Sequence, residues 1–138
     1  MIIYKSHISE NHYNNLRTSV GWKQLNRIQA ETGLNNSAYI TAAYDDDTPV
    51  GMARVISDCG YMFLIADVMV NPKYQKMGIG LRLLQNIDEW INNLSKNGQC
   101  IMINLMSTPG NEKFYEKFGF ISRPNKHMGA GMVKWINQ

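Results

Sequence analysis

The sequence predicts an α/β domain with a mixed, largely antiparallel sheet and helices on both faces. One observation is a pair of strands, residues 38–44 and 49–57, joined by the turn Asp45-Asp46-Asp47-Thr48-Pro49. The other is an apolar strand that runs through a proline turn and two glycines into an amphipathic helix. With 138 residues and 44% hydrophobic content, the chain has material for one core. Residues 1–138 are therefore predicted to form a single domain.

The first half of the chain alternates a strand, two short helices and the strand pair. Residues 1–6 form the first strand, and Ser9 is a suitable N-cap for a helix over residues 10–20. Gly21 then interrupts the helical pattern. Apolar residues at positions 22, 25 and 28 predict a second short helix that starts at Trp22 and ends near Gly33.

The second half begins with a strand from Tyr61 to Val70. The helix after Gly80 buries one stripe, and Gly98 stops it; the stripe comprises Leu84, Ile87, Ile91 and Leu94. Residues 100–105 form an almost unbroken apolar run, which predicts a strand buried on both faces. A helix over 111–118 is capped by Gly119, Phe120 opens a strand, and Met132–Ile136 is the final strand.

Composition excludes several classes of function. The net charge of +3, from 14 basic and 11 acidic residues, is spread without a basic run, so we expect no nucleic-acid binding. No apolar run approaches the roughly 18 residues that cross a bilayer, and no signal peptide is evident, so we expect no membrane partner and a cytoplasmic protein. Cys59 and Cys100 lack metal-ligand spacing and are expected to be buried or half-buried thiols, and no metal is predicted. The acidic turn at 45–47 is expected to face solvent.

The most informative segment is Gln75-Lys76-Met77-Gly78-Ile79-Gly80, which opens the long helix. A helix N-terminus presents unpaired N–H groups and partial positive charge, and glycines let an anion approach the backbone. No acidic residue lies between Asp67 and Asp88. Spacing excludes a P-loop and a dinucleotide fingerprint, because Gly80 is followed by Leu81 and no third glycine follows at position 83.

The segment closely resembles the pyrophosphate loop of the GNAT superfamily of acetyl-CoA-dependent N-acetyltransferases, whose pattern is Gln/Arg-x-x-Gly-x-Gly/Ala. A second segment, Asn111-Glu112-Lys113-Phe114-Tyr115-Glu116-Lys117-Phe118-Gly119-Phe120, resembles the later helix and strand of the same family. The two segments occur in the family's order and spacing. The resemblance is strong over residues 61–120 and weak before residue 38.

The resemblance implies a GNAT-type sheet and acetyl-CoA as co-substrate. It places the strand residues Val68, Met69 and Val70 along the cofactor, with a backbone N–H near Val70 as the donor to the developing oxyanion. The remaining residues that the resemblance assigns to cofactor binding are Gln75, Lys76, Met77, Gly78, Ile79, Gly80, Leu81, Asn111 and Phe114.

Acetyl transfer to an amine also needs a proton donor for the departing thiolate and an acceptor for the amine proton. Tyr115 is the predicted general acid, since a phenol of pKa near 10 protonates a thiolate only slightly uphill; the alternative is a half-buried aromatic without a role. Asp67 is the predicted base, with His127 or water as alternatives.

The sequence favours transfer to the primary amine of a small molecule, by direct attack in a ternary complex. Trp22, Tyr39 and Tyr61 are either aromatic walls of the acceptor pocket or core residues. A peptide or protein amine is the alternative acceptor, and a CoA-binding regulatory module without catalysis is the alternative function. Apolar residues such as Trp135 in the last strand favour a homodimer.

Overall fold

The computed structural model describes residues 1–95 and 98–138. Its elements, in chain order, are β1 (Ile2–Lys5), α1 (Glu10–Ser19), α2 (Arg27–Asn35), β2 (Tyr39–Asp45), β3 (Thr48–Ser57), β4 (Met62–Val70), a 3₁₀ turn (Pro72–Tyr74), α3 (Ile79–Leu94), β5 (Met102–Asn104) and α4 (Glu112–Glu116). The sheet order is β1-β2-β3-β4-β5, and β1 to β4 are antiparallel neighbours. The predicted α/β class with a mostly antiparallel sheet is confirmed.

The chain divides into two compact units, residues 1–103 and 104–138. The first unit holds β1 to β4 and α1 to α3, and the boundary falls within β5. The assignment of residues 1–138 to a single domain stays a prediction.

The first helix forms as predicted, whereas the second starts later. Ser9 caps α1 by accepting a hydrogen bond from His12 N. The predicted start of α2 at Trp22 is wrong, because the Asn26 side chain accepts from Ile28 N at 2.9 Å and begins the helix there. Residues 22 and 25 pack against the core without being helical.

Asn14 explains why the chain before α2 is not helical. Its side chain donates to the Leu25 carbonyl at 3.1 Å and accepts from the Leu25 N–H at 2.9 Å. Both backbone groups of Leu25 are thereby engaged outside a helix. The apolar spacing at positions 22, 25 and 28 therefore reflects packing of a loop.

The two faces of the sheet carry different helices. On one face a cluster that includes Met52 and Met69 packs with Tyr13 and Leu16 of α1 and Leu34 of α2. On the other face α3 contacts β2, β3 and β4, with buried side chains at Ile79, Leu83, Leu84, Ile87 and Ile91. Leu94 was predicted to join this stripe, but it is 41% exposed because the helix ends there.

The strand predicted over residues 100–105 is wrong in extent and burial. The strand β5 comprises three residues at the end of the sheet order, and Met102 is exposed. A strand at the end of a sheet has a neighbour on one side only, so its apolar side chains are not covered as in a central strand.

In the described residues 104–138, neither Phe120 nor Met132–Ile136 forms the predicted strand. The short helix α4 ends sooner than predicted, although Gly119 adopts the left-handed conformation expected of a C-terminal cap (φ +89°). Residues 132–136 lie in irregular structure, and Met132, Val133, Trp135 and Ile136 are exposed.

Candidate active site

A β-bulge interrupts the pairing of β3 with β4. Met52 pairs with Met69 and Arg54 pairs with Ala66, so two residues of β4, Asp67 and Val68, oppose the single residue between them on β3. Asp67 has a left-handed backbone conformation, with φ +54°. A bulge bends its strand and increases the local twist. The register of β4 against β3 therefore shifts by one residue at the bulge, and pairing resumes at Met69.

The outer edge of β4 is open beyond the bulge. The strand β5 meets the beginning of β4, where Met102 N donates to the Tyr61 carbonyl at 2.7 Å, and it is only three residues long. Within the described part of residues 1–103, Val68–Val70 consequently have no strand partner on the side away from β3. Every second residue of a strand directs its backbone N–H and C=O to that side, so this edge offers unpaired groups to a ligand.

Side chains and backbone fix the loop that follows β4. The Asn71 side chain accepts from Lys73 N at 3.0 Å and starts the 3₁₀ turn, and the Tyr74 hydroxyl donates to Asp45 at 3.0 Å. Gln75 Nε2 donates to the Val70 carbonyl at 3.1 Å. The loop is thus bound both to the end of β4 and to the hairpin between β2 and β3.

The N-terminus of α3 is not covered by side chains. Gly78 is its N-cap with φ +83°, no side chain caps the helix, and no acidic residue lies in the first turn. Arg82 N donates to the Gly78 carbonyl, so the preceding N–H groups, at residues 79–81, have no acceptor within the helix. A Cβ added at Gly78 would have no atom within 4 Å. These features fit a pyrophosphate group.

Asp67 is held by three side chains on the α1 side of the sheet. Its Oδ2 accepts from Arg54 Nε at 2.6 Å and from the Tyr13 hydroxyl at 2.7 Å, and Arg17 Nη1 lies 3.6 Å from its Oδ1. The side chains of Asp67, Arg54 and Arg17 are only 13%, 15% and 15% exposed. Burial, followed by the charge of Asp67, raises the pKa of Tyr13, so this hydroxyl keeps its proton.

This pairing weighs against Asp67 as the general base. Arg54 and Tyr13 donate to its Oδ2 and Arg17 lies beside its Oδ1, so both carboxylate oxygens already have partners. The role of Asp67 as base stays a prediction. His127, the other candidate, has an exposed side chain in the second unit.

The three candidate aromatic walls do not lie together. Trp22 lies against Arg17, whose guanidinium carbon is 5.5 Å from the centre of the indole ring. Tyr39 faces α3, where it stacks on Trp90 with a centroid distance of 5.0 Å. Tyr61 is 58% exposed. The interpretation of Tyr39 as a core residue therefore agrees better with the structure.

The predicted acid lies in the second unit. Tyr115 is 8% exposed and contacts Phe114 and Phe120 edge-to-face, at centroid distances of 5.2 and 6.1 Å. Burial raises the pKa of Tyr115 above its ordinary value, so the phenol is a weaker acid than the sequence estimate assumed. Asn111 is exposed and donates from its side chain to the Thr108 hydroxyl at 2.6 Å.

Sequence reasoning missed Tyr13, Arg17 and Arg54. The available signal was an arginine in the middle of the apolar strand around Ala53 and Val55, which requires a buried partner. The two cysteines were expected to be at least half-buried, but both are exposed, because they lie in loop segments outside the sheet. Within the described residues no group of side chains could hold a metal ion, and none of the helices is long and apolar enough to cross a membrane.

Several known proteins are similar to this chain in sequence. A family model described as an acetyltransferase (GNAT) domain matches residues 36–122. An uncharacterized N-acetyltransferase, ycf52 of Porphyra purpurea, is 30% identical over 111 residues, which are 78% of this chain and 62% of that protein. The GCN5-related N-acetyltransferase 1, chloroplastic, of Arabidopsis thaliana is 28% identical over 88% of this chain and 60% of its own length. The chain thus spans about three fifths of these curated relatives.

Solved structures are similar over nearly the whole chain. A probable acetyltransferase from meticillin-resistant Staphylococcus aureus has a TM-score of 0.85 and 30% identity, covering 98% of this chain and 100% of that one. A GNAT family protein from Streptococcus pneumoniae has a TM-score of 0.76 and 28% identity, covering 100% and 98% of the two chains.

Proposed function

The chain belongs to the GNAT family of acetyltransferases, and on this premise we propose that it transfers acetyl from acetyl-CoA to the primary amine of a small molecule. The amine attacks directly, with both substrates bound. The observation that carries the proposal is that two surfaces able to donate backbone hydrogen bonds to a ligand lie next to each other in sequence and structure. One is the edge of β4 at Val68–Val70, and the other is the N-terminus of α3 at Gly78, joined to it by a loop held in place by hydrogen bonds.

The N-terminus of α3 holds the pyrophosphate in this proposal. Its N–H groups donate to the phosphate oxygens, and the helix dipole favours the negative charge. Lys76, exposed and left-handed at φ +62°, adds a cation to the same loop. Acetyl-CoA supplies the activated acetyl thioester.

The edge of β4 positions the acetyl group and stabilises the charge that develops on its carbonyl oxygen. A backbone N–H near Val70 donates to that oxygen, and such a donor contributes most when it is fixed before the reaction begins. We assign the proton for the departing thiolate to Tyr115, on the sequence resemblance. Because burial raises its pKa, Tyr115 is protonated throughout the neutral pH range. Water takes the amine proton, since Asp67 is engaged by two arginines.

The charges near the bulge affect which amines can act as the acetyl acceptor. Arg17 and Arg54 bring two positive charges to the single carboxylate of Asp67, so this side of the sheet disfavours a polycation. We expect a small monoamine to react faster than spermidine, kanamycin or a lysine-rich peptide.

The test measures thiol release from acetyl-CoA in the presence of phenethylamine, tryptamine, spermidine, kanamycin and a lysine-rich peptide. Tyr115→Phe should keep the affinity for acetyl-CoA and lose about 10²- to 10⁴-fold in turnover, the range for a general acid. Preference for the peptide would support a protein acceptor instead. Acetyl-CoA binding without transfer to any amine would support a regulatory module.

A matched pair of glycine substitutions tests the cofactor site. Gly78→Glu should weaken acetyl-CoA binding at least about tenfold in calorimetry, because it places a carboxylate where the phosphates bind. Gly21→Glu is the control: Gly21 has φ +81° and, like Gly78, would have no atom within 4 Å of an added Cβ. Both variants carry the same backbone cost of about 1–2 kcal/mol. Equal affinities in the two variants would contradict the proposed site.

We also propose a homodimer. The exposed apolar residues of the tail, Met132, Val133, Trp135 and Ile136, support it because a soluble chain rarely leaves such a run uncovered. Light scattering should give twice the mass of the chain, and Trp135→Asp should shift it toward the monomer.

A further inference from the structure

We propose that Arg54 and Tyr13 are positioning residues for acetyl transfer, because they hold Asp67 in its left-handed conformation and so fix the bulge that aims the β4 edge at the acetyl group. The proposal rests on the function proposed above. Neither side chain contacts the reacting atoms in this mechanism. Both act through the backbone of Asp67 and its successors Val68–Val70.

The side chains of Arg54, Asp67 and Tyr13 meet at the bulge between β3 and β4. Arg54 pairs with Ala66, the last residue of β4 before the bulge, and its Nε donates to the carboxylate of Asp67, the first residue in the bulge. The ion pair therefore spans the step at which the register changes. Tyr13 reaches the same Oδ2 from α1.

Arg54 is itself anchored to the chain around the end of α2. Its Nη1 donates to the Gly33 carbonyl at 3.3 Å and to the Ser37 hydroxyl at 3.2 Å. The carboxylate of Asp67 is thus connected to β3, to α1 and to the end of α2 at once. A side chain bound to three elements leaves little freedom for the backbone that carries it.

Asp67 needs such support because its backbone conformation is costly. The left-handed region is unfavourable for residues with a Cβ, and aspartate and asparagine tolerate it better than most. Without the side-chain contacts, β4 could relax toward regular pairing with β3. The N–H groups at Val68–Val70 would then turn away from the position of the carbonyl oxygen, and a displacement of about 1 Å can cost 10²-fold in rate.

Stability alone does not account for this cluster. A buried ion pair is often no more stabilising than apolar residues of similar volume, because its charges must be desolvated. Other residues of β4, such as Phe63, Ile65 and Met69, are buried and apolar. The charged cluster lies at the one described step where β4 changes register against β3.

The experiment compares Tyr13→Phe, Arg54→Gln and Asp67→Asn in the full chain. Each should lower kcat about 10- to 100-fold, because each loosens the bulge. The dissociation constant for acetyl-CoA, measured by calorimetry, should stay within about threefold, since the phosphates bind at α3. The pH profile of kcat should keep its shape in all three.

Arg27→Gln is the matched control. Arg27 also pairs with carboxylates, Glu10 at 3.4 Å and Glu31 at 3.1 Å, but its side chain is 77% exposed and these partners lie on α1 and α2 rather than on β4. Its kcat and acetyl-CoA affinity should equal those of the wild type. Tyr13→Phe keeps the ring and its packing, so it tests the hydrogen bond even where the charge variants fold poorly.

Two results would overturn the proposal. Loss of kcat in Asp67→Asn alone, with loss of the acidic limb of the pH profile, would make Asp67 the general base, because a base acts only when it is unprotonated. Unchanged kcat in folded Tyr13→Phe and Arg54→Gln, with only a lower melting temperature, would make the cluster structural. Failure of the wild type to transfer acetyl to any amine would instead contradict the proposed function, so the two failures are distinguishable.

Discussion

The two faces of the sheet are held by different interactions. Against α3 the interface is mostly apolar, with Leu83, Leu84 and Ile87 almost fully buried and Phe63 in edge contact with Trp90. Against α1 and α2 an apolar cluster is joined by the buried charges of Asp67 and Arg54. The α3 face has the composition of a core that stabilises the fold. The other face carries polar groups at the point where β4 leaves its regular pairing.

The difference indicates how one sheet combines stability with a site. Apolar packing stabilises in proportion to the area removed from water and has little directional preference. Charged hydrogen bonds are directional and can fix a strained backbone in one conformation. In the proposed mechanism, the face that fixes the position of the β4 edge contains the charges, and the opposite face stabilises the sheet that carries them.

The largest expected effect is the loss of stability on truncating a core side chain, tested once on each face of the sheet. Ile87→Ala on the α3 face and Leu16→Ala on the α1 face remove side chains that are 0% and 1% exposed. Each should lower the free energy of unfolding by about 2–5 kcal/mol in urea titrations. Only Leu16→Ala should also lower kcat, because Leu16 packs in the same cluster as Tyr13. An equal loss of kcat in Ile87→Ala would abolish the distinction between the faces.

A smaller effect concerns the hydrogen bond from Asn86 Nδ2 to the Thr41 hydroxyl, at 2.9 Å on the α3 face. Thr41 is 2% exposed, so Thr41→Val should cost about 1–2 kcal/mol of stability by leaving the Asn86 donor without its acceptor. Adding Asn86→Leu should recover most of the loss, since replacing both partners by apolar groups is nearly neutral. Denaturant titrations of Thr41→Val, Asn86→Leu and the double variant give the coupling. If the effects of the two single substitutions on the free energy of unfolding simply add in the double variant, the hydrogen bond is not the source of the cost.

The smallest effect is a pH dependence from Asp88 in α3. Burial raises the pKa of this carboxyl above its ordinary 3.8, so the folded state disfavours the charged form. The stability that the protonated Asp88 carboxyl contributes is present below pH 3.8, and it is lost as the pH rises through the pKa of the folded state. Asp88→Asn should therefore gain a few tenths of a kcal/mol at pH 7, and the gain should shrink in acid. A gain that grows on acidification would contradict the assignment.

Local signals predicted much of the fold. The Ser9 cap, the turn at residues 45–49 and the long helix predicted after Gly80 each depend on residues that are close in sequence, although the helix begins slightly earlier, at Ile79. The start of α2 was missed because an apolar spacing of three occurs in a packed loop as well as in a helix. The short, exposed β5 was missed because an apolar run does not reveal whether its strand is central or terminal in the sheet.

The candidate site, like the fold, has one part that local sequence signals predicted and one part that they did not. The loop at residues 75–80 has a sequence signature, and its glycine and helix N-terminus lie as predicted. The cluster around Asp67 joins residues 13, 54 and 67, which no periodicity connects. Alternation along β4 also fails at a bulge, because one extra residue changes which face the next side chains occupy.

The Tyr74 hydroxyl, which donates to Asp45, has a consequence for the entropy of binding. Together with the bonds made by Asn71 and Gln75, it orders the glycine loop before any ligand arrives. A loop that is already ordered loses little conformational freedom on association, so more of the phosphate interaction energy remains as affinity. If the proposed phosphate site is correct, the hairpin between β2 and β3 contributes to ligand affinity without contacting the phosphate, through the hydrogen bond between Asp45 and the Tyr74 phenol.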